Sequence, residues 1–354
     1  MRRSVVVAFA LWVLALPGMR AHAQLFNLVN LDHLNSKLSG RMVDHTRNHG
    51  GDRQQFSSIL GKPRDLYVYL PPGYNPSIAY PLIVFLHGSD IDEHHFLDPN
   101  DMKRLDRMMA SGQLPPMIIA APDGTYEGVN HIAATNSFWV NGRGGRFEDH
   151  IVYEVMPFLM RTYSIRPEPQ AHALIGVSAG GYGAMGIGLK HRDLFSIVAT
   201  IAGPLNMRYD ACPGGYRAQF DPATYRERMG YDPELIIARY YFGIIRRRVK
   251  KFLEPVYGSG PEVVPQIIRD NPVDLLISTN LQPGEMNLYV NYPDKDNYNF
   301  DAQDKSFAWI ASQRGIHVDL SVVRHARHDL PYIEKAEPAA YVWVGCHILP
   351  PIAR

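Results

Sequence analysis

Residues 172–190 read HALIGVSAGGYGAMGIGLK, and the architecture follows from how this stretch turns. Up to Val177 the run is short and apolar, which predicts a buried strand. From Gly180 onward it is rich in Gly and Ala with Met, Ile and Leu between, which predicts a helix over 180–190. At the junction stands Gly176-Val177-Ser178-Ala179-Gly180, a G-x-S-x-G pattern. Between a strand and a helix, such a serine occupies a strained turn. Its flanking glycines let the two backbones pass closely, and the hydroxyl is lifted to the rim of the sheet. The plainer alternative is a Gly-rich turn that only packs, or that binds a phosphate.

Working outward, the same rhythm repeats. Short apolar strands are expected at 65–70, 82–86, 117–121, 173–177, 197–201, 288–291 and 318–323. Helix-like stretches lie at 101–111, 148–162, 180–190, 301–314 and 331–345. Apolar strands that alternate with helices imply an α/β class with a mostly parallel central sheet covered on both faces. Ligands then bind beyond the carboxyl ends of the strands, so the loops there are where chemistry is sought. Residues 204–272 interrupt the rhythm with Pro213-Gly214-Gly215, a cluster of tyrosines and a basic run, and read as an insertion. The domain is expected over 61–348, with 24–60 as an N-terminal extension leading into the sheet.

The N-terminus sets the compartment. Arg2 and Arg3 precede the apolar run of residues 5–16, and Ala21-His22-Ala23 offers small residues where a signal peptidase reads. A cleavable signal peptide over 1–23 is expected, placing the protein in the periplasm or secreting it. The apolar run is shorter than the ~20 residues needed to span a bilayer, and no later stretch reaches that length. The net charge of +1 leaves no global field to recruit nucleic acid. Cys212 and Cys346 could form a disulfide after export.

A serine hydroxyl needs a base, and with this type of turn the chain order runs serine, acid, histidine. Of His317, His325, His328 and His347, two share the loop after the last strand, Arg324-His325-Ala326-Arg327-His328-Asp329. His328 immediately precedes the final helix and is the expected base, with His325 as its rival. The acid should follow the preceding strand, where Asp294 and Asp296 compete; Asp301 fits better as a helix cap. Backbone N–H groups of Ala179 and of Ser89, in the loop after 82–86, would hold an oxyanion. Neither a cofactor nor a metal is called for. The cluster Asp90-Ile91-Asp92-Glu93-His94-His95 reads as a solvated loop beside the oxyanion donors. Residues 246–251, RRRVKK, read as the charged face of an insertion helix. Tyr209, Tyr216, Tyr225, Tyr231, Tyr240 and Tyr241 suit an aromatic or sugar-bearing substrate, and equally the packing of an insertion.

With these stretches in order, the chain resembles the putative-esterase branch of the α/β hydrolases, which includes feruloyl and acetylxylan esterases, S-formylglutathione hydrolases and mycolyltransferases. The resemblance rests on Tyr69-Leu70-Pro71-Pro72-Gly73-Tyr74, on Pro81 through His87-Gly88, on Ala121-Pro122-Asp123-Gly124, on Gly176 through Ala184 and on the late Asp and His loops. It covers roughly residues 60 to 340, with the insertion a poor match. It implies an α/β-hydrolase three-layer sandwich, hydrolysis of a small or carbohydrate-linked carboxylic ester through an acyl-serine, and Asp296 rather than Asp294 as the acid. Two departures stand out. Ala179 replaces a Met common after the nucleophile, and the glycine usual before the acid is missing. Acyl transfer by the same acyl-enzyme, or a non-catalytic binding protein on this scaffold, are the alternatives.

Overall fold

The computed structural model describes residues 30–45, 55–89, 91–126, 136–240 and 244–354. The expected leader at 1–23 lies outside them, as do Asp90, Tyr241 and the Gly50-Gly51 pair.

Eight strands form the central sheet: β1 (Arg41–Asp44), β2 (Leu66–Leu70), β3 (Leu82–Leu86), β4 (Ile118–Pro122), β5 (His172–Val177), β6 (Ile197–Ile201), β7 (Asn287–Pro293) and β8 (Asp319–Val323). Their spatial order is β1-β2-β4-β3-β5-β6-β7-β8. The β1–β2 and β2–β4 pairs are antiparallel, and every pair from β4 to β8 is parallel. The central strands are apolar throughout because both faces are covered. Successive side chains alternate between the layers: Leu82, Val84 and Leu86 enter one core while Ile83 and Phe85 enter the other. Burial of each Val, Leu or Ile is worth about 1.5–3 kcal/mol relative to exposure, so such runs are driven to the middle of the sheet.

The first face carries the helical stretch 147–162, α2 (Ala179–Lys190), Pro272–Ser278 and α3 (Phe300–Gln313). The opposite face carries α1 (Pro99–Ala110) and α4 (Leu330–His347). α2 is buried on every side from Ala179 to Leu189, which explains why its sequence shows no polar face. The strand β1 falls inside the segment expected as an extension. It is a four-residue edge strand whose RMVD sequence shows little alternation.

The insertion contains two hairpins, Tyr209–Ala211 with Tyr225–Glu227 and Ile236–Tyr240 with Ile245–Arg248, followed by helices Lys250–Tyr257 and Val263–Asp270. The basic run is therefore not one face of a helix. Arg246, Arg247 and Arg248 belong to a strand, and Lys250 and Lys251 open the helix after it. Alternating polarity could not reveal this strand, because its side chains are nearly all basic. A third core joins the insertion to the main domain, with Tyr216, Leu253, Val256 and Tyr257 packed with Ala179, Tyr182 and Tyr298. Cys212 and Cys346 are both free and exposed. Among the described residues, no helix is long and apolar enough to cross a membrane.

Candidate active site

The parallel register brings the expected loops together. Leu86 pairs with Gly176 and Ile201 with Val177, so the loops after β3, β5 and β6 leave the sheet side by side. Ser178 follows at φ 54°, ψ −118°, a left-handed conformation that a side chain rarely adopts. Its N–H is held by Ile201 O at 2.8 Å. The flanking glycines are required by contact. A Cβ on Gly176 would stand 2.1 Å from Gly180 O, and one on Gly180 would stand 2.0 Å from Leu86 O. The N–H groups of Gly181 and Tyr182 bond back to Ser178 O. The N–H of Ala179 belongs to the first turn of α2, where backbone donors lack intrahelical partners.

His328 Nε2 lies 3.0 Å from Ser178 Oγ, and His328 Nδ1 lies 3.0 Å from Asp296 Oδ2. The other carboxylate oxygen, Oδ1, accepts the N–H of Tyr298 at 2.7 Å. An ionised carboxylate only accepts, so Nδ1 carries the imidazole proton and Nε2 is left to accept from the serine. The Asp296 side chain is fully buried and that of His328 is 12% exposed. Tyr298 and Phe300 meet the imidazole edge-on, with centroids 5.2 and 5.4 Å away. The loops after β7 and β8 are tied to each other, Asp294 N–H to Val323 O and Lys295 N–H to Ala326 O. The insertion is tied to the loop after β7 as well. Tyr216 O–H donates to Tyr298 O, and Asn299 Nδ2 donates to Tyr216 O.

The remaining candidates lie elsewhere. His325 is exposed at φ 60°. His317 pairs with Asp319 at the surface, and His347 bonds Trp343 O within its own helix. Asp301 does not cap α3; Asn299 holds the cap position, and Asp301 pairs with Lys305. The tyrosines of the insertion mostly pack: Tyr209 and Tyr216 are buried, and Tyr225 lies tilted against Tyr209 and edge-on to Trp309.

The acidic cluster after β3 is not a solvated loop. Asp92 and Glu93 are buried, the first capping and the second opening a short 3₁₀ turn, Glu93–Leu97. His94 Nδ1 lies 3.3 Å from Asp92 Oδ1 and 3.1 Å from Glu93 Oε1. Burial opposes the imidazolium, but the two carboxylates outweigh it and hold His94 up at about 10. Burial and the Asp92 charge push Glu93 up to about 7. Asp92, Glu93 and His94 could ligate a cation, as could His87, Glu93 and Asp123. In the second set, both His87 nitrogens already have partners, Gly88 O and the N–H of Gly124.

The sequence model of a family described as "Putative esterase" matches residues 57–260, more than half of the chain. An esterase of Mycobacterium tuberculosis is 27% identical over 159 residues, 44% of this chain and 32% of that protein. The chain thus spans about a third of the length of that relative. An S-formylglutathione hydrolase of Arabidopsis thaliana is 25% identical over 211 residues, 53% of this chain and 68% of that protein. Among solved structures, a ferulic acid esterase superposes with a TM-score of 0.63 at 19% identity, covering 87% of this chain and 98% of that one. At that identity the likeness speaks for the fold: an α/β-hydrolase sheet flanked by helices.

Proposed function

Because the chain belongs to the esterase family whose model it matches, we propose that it hydrolyses a carboxylic ester through a covalent acyl-serine. The observation that carries the proposal is the continuous chain of hydrogen bonds from Ser178 Oγ through His328 to Asp296. His328 Nε2 takes the hydroxyl proton as Oγ attacks the acyl carbon. The N–H groups of Ala179 and Ser89 receive the oxyanion. Collapse expels the alcohol, protonated by His328, and water then repeats the sequence to release the acid. Asp296 holds the imidazole in the required tautomer and stabilises the imidazolium. The N-terminal pattern over 1–23 supports action outside the cytoplasm.

The test is Ser178→Ala in the purified protein. Ester turnover should fall on the order of 10⁴-fold or more, with unchanged circular dichroism and no labelling by a fluorophosphonate. Near-wild-type turnover in the folded variant would end the proposal.

A further inference from the structure

The peptide between Gly88 and Ser89 lies against the nucleophile. A Cβ placed on Gly88 would be 3.2 Å from Ser178 Cβ and 3.1 Å from Val177 O. The carbonyl oxygen of this peptide is held from two directions. Asn136 Nδ2 donates to Gly88 O at 3.0 Å, and His87 Nδ1 approaches it at 2.9 Å. The proton positions follow from the partners. His87 Nε2 accepts the N–H of Gly124 at 2.9 Å, so its ring proton is on Nδ1 and donates to Gly88 O. Asn136 Oδ1 accepts the N–H of Phe138 at 2.7 Å, so the amide group facing Gly88 O is the NH₂. Burial lowers the His87 pKa, in keeping with the neutral imidazole this pattern needs.

Asn136 is itself braced. It bridges to Thr125, and Ser137 Oγ donates to Gly124 O at 2.8 Å. Phe138 and Trp139 follow at φ 52° and 60°, two consecutive left-handed residues that only a well-determined loop sustains. Trp139 Nε1 closes the circuit by donating to His87 O at 3.1 Å. In a trans peptide the N–H points opposite to the C=O. Locking Gly88 O therefore locks the direction of the Ser89 N–H. A rotated peptide would present an acceptor where the oxyanion needs a donor.

We infer that Asn136 is a positioning residue for the oxyanion site, fixing the Gly88–Ser89 peptide so that the Ser89 N–H is the group offered to the reacting carbonyl; this rests on the acyl-serine proposal above. Asn136→Asp tests it, because the carboxylate keeps the acceptor for Phe138 N–H and loses the donor to Gly88 O. Active sites are titrated with a fluorophosphonate, and kcat, KM and inhibition by phenylboronic acid, which forms a tetrahedral adduct on serine, are measured. Per titrated site, kcat should fall roughly tenfold to a hundredfold, short of the loss expected for deleting a donor outright. The boronic acid should weaken by a similar factor while KM stays within about twofold. Asn136→Ala should behave the same way if the Asp variant does not fold. Unchanged kcat per site and unchanged boronic acid inhibition would overturn the inference, and so would failure of both variants to fold, which would make Asn136 a structural residue. A wild type that no fluorophosphonate titrates, or a Ser178→Ala variant that still turns over, would instead bring down the acyl-serine proposal.

Discussion

Ser178 combines a strained backbone with a fully organised side chain. The turn that raises its hydroxyl is held by Ile201 O behind it and by glycines on either side. This was legible in residues 176–180, because the steric demand is local and leaves a local pattern. The acid was less legible. Asp294 and Asp296 are two residues apart in a loop without periodicity, and only the family resemblance favoured Asp296. The structure puts Asp296 Oδ2 on His328 Nδ1, with Oδ1 pinned by the Tyr298 N–H. Asp296→Asn would keep that shape but favour the wrong imidazole tautomer, and should lower kcat about 10⁴-fold. Asp294→Asn should lose less than about tenfold. Steady-state kinetics on one soluble ester checks both, and a reversed order would shift the acid to Asp294. Asn136 left no sequence signal at all. Its role depends on one bond to a carbonyl 48 residues away.

Among the elements, strands that are buried on both faces announced themselves as apolar runs, and β3 and β6 begin and end where expected. The failures came where burial does not dictate sequence: the short edge strand β1 and the basic strand of the insertion. The helical stretch 147–162 shows a different kind of dependence. It passes through a π-helical segment, Ile151–Val155, that carries Glu154. Glu154 accepts from Ser57 Oγ, Ser58 Oγ, Ile59 N–H and His150, anchoring the 57–59 turn to the helix. Burial alone would raise its pKa, but these bonds outweigh it and pull the carboxyl down to about 2. A depressed folded-state pKa contributes stability that is present above the usual value of 4.5 and is lost as pH falls toward 2. Glu154→Gln should therefore melt below wild type at pH 7, with the gap closing as pH falls from 4.5 to 2. Thermal melts across that range provide the check, and a gap that stays constant would exclude this role for Glu154.

For the molecule as a whole, the two-faced sheet and the position of the site at its carboxyl edge followed from the alternation of strands and helices. How the insertion is braced did not, since its contacts with Ala179 and Tyr298 join residues far apart in sequence. At this scale the pattern over residues 1–23 makes export an expectation. Expression in a bacterial host should yield a periplasmic or extracellular protein whose N-terminal sequence begins at Gln24. A cytosolic product that retains residues 1–23 would argue against it. The site also has an unequal relation to the sheet that builds it. Ser178 and His328 bond across 150 residues, Ser178 following a central strand and His328 following β8 at the margin. β8 is the less protected partner, with Leu320 and Val322 left 47% and 41% exposed. Opening that margin parts His328 from Ser178 while the centre of the sheet stays closed. Heat should thus stop ester turnover by fraying at a temperature below the melt seen by circular dichroism, and a brief return to lower temperature should restore what was lost.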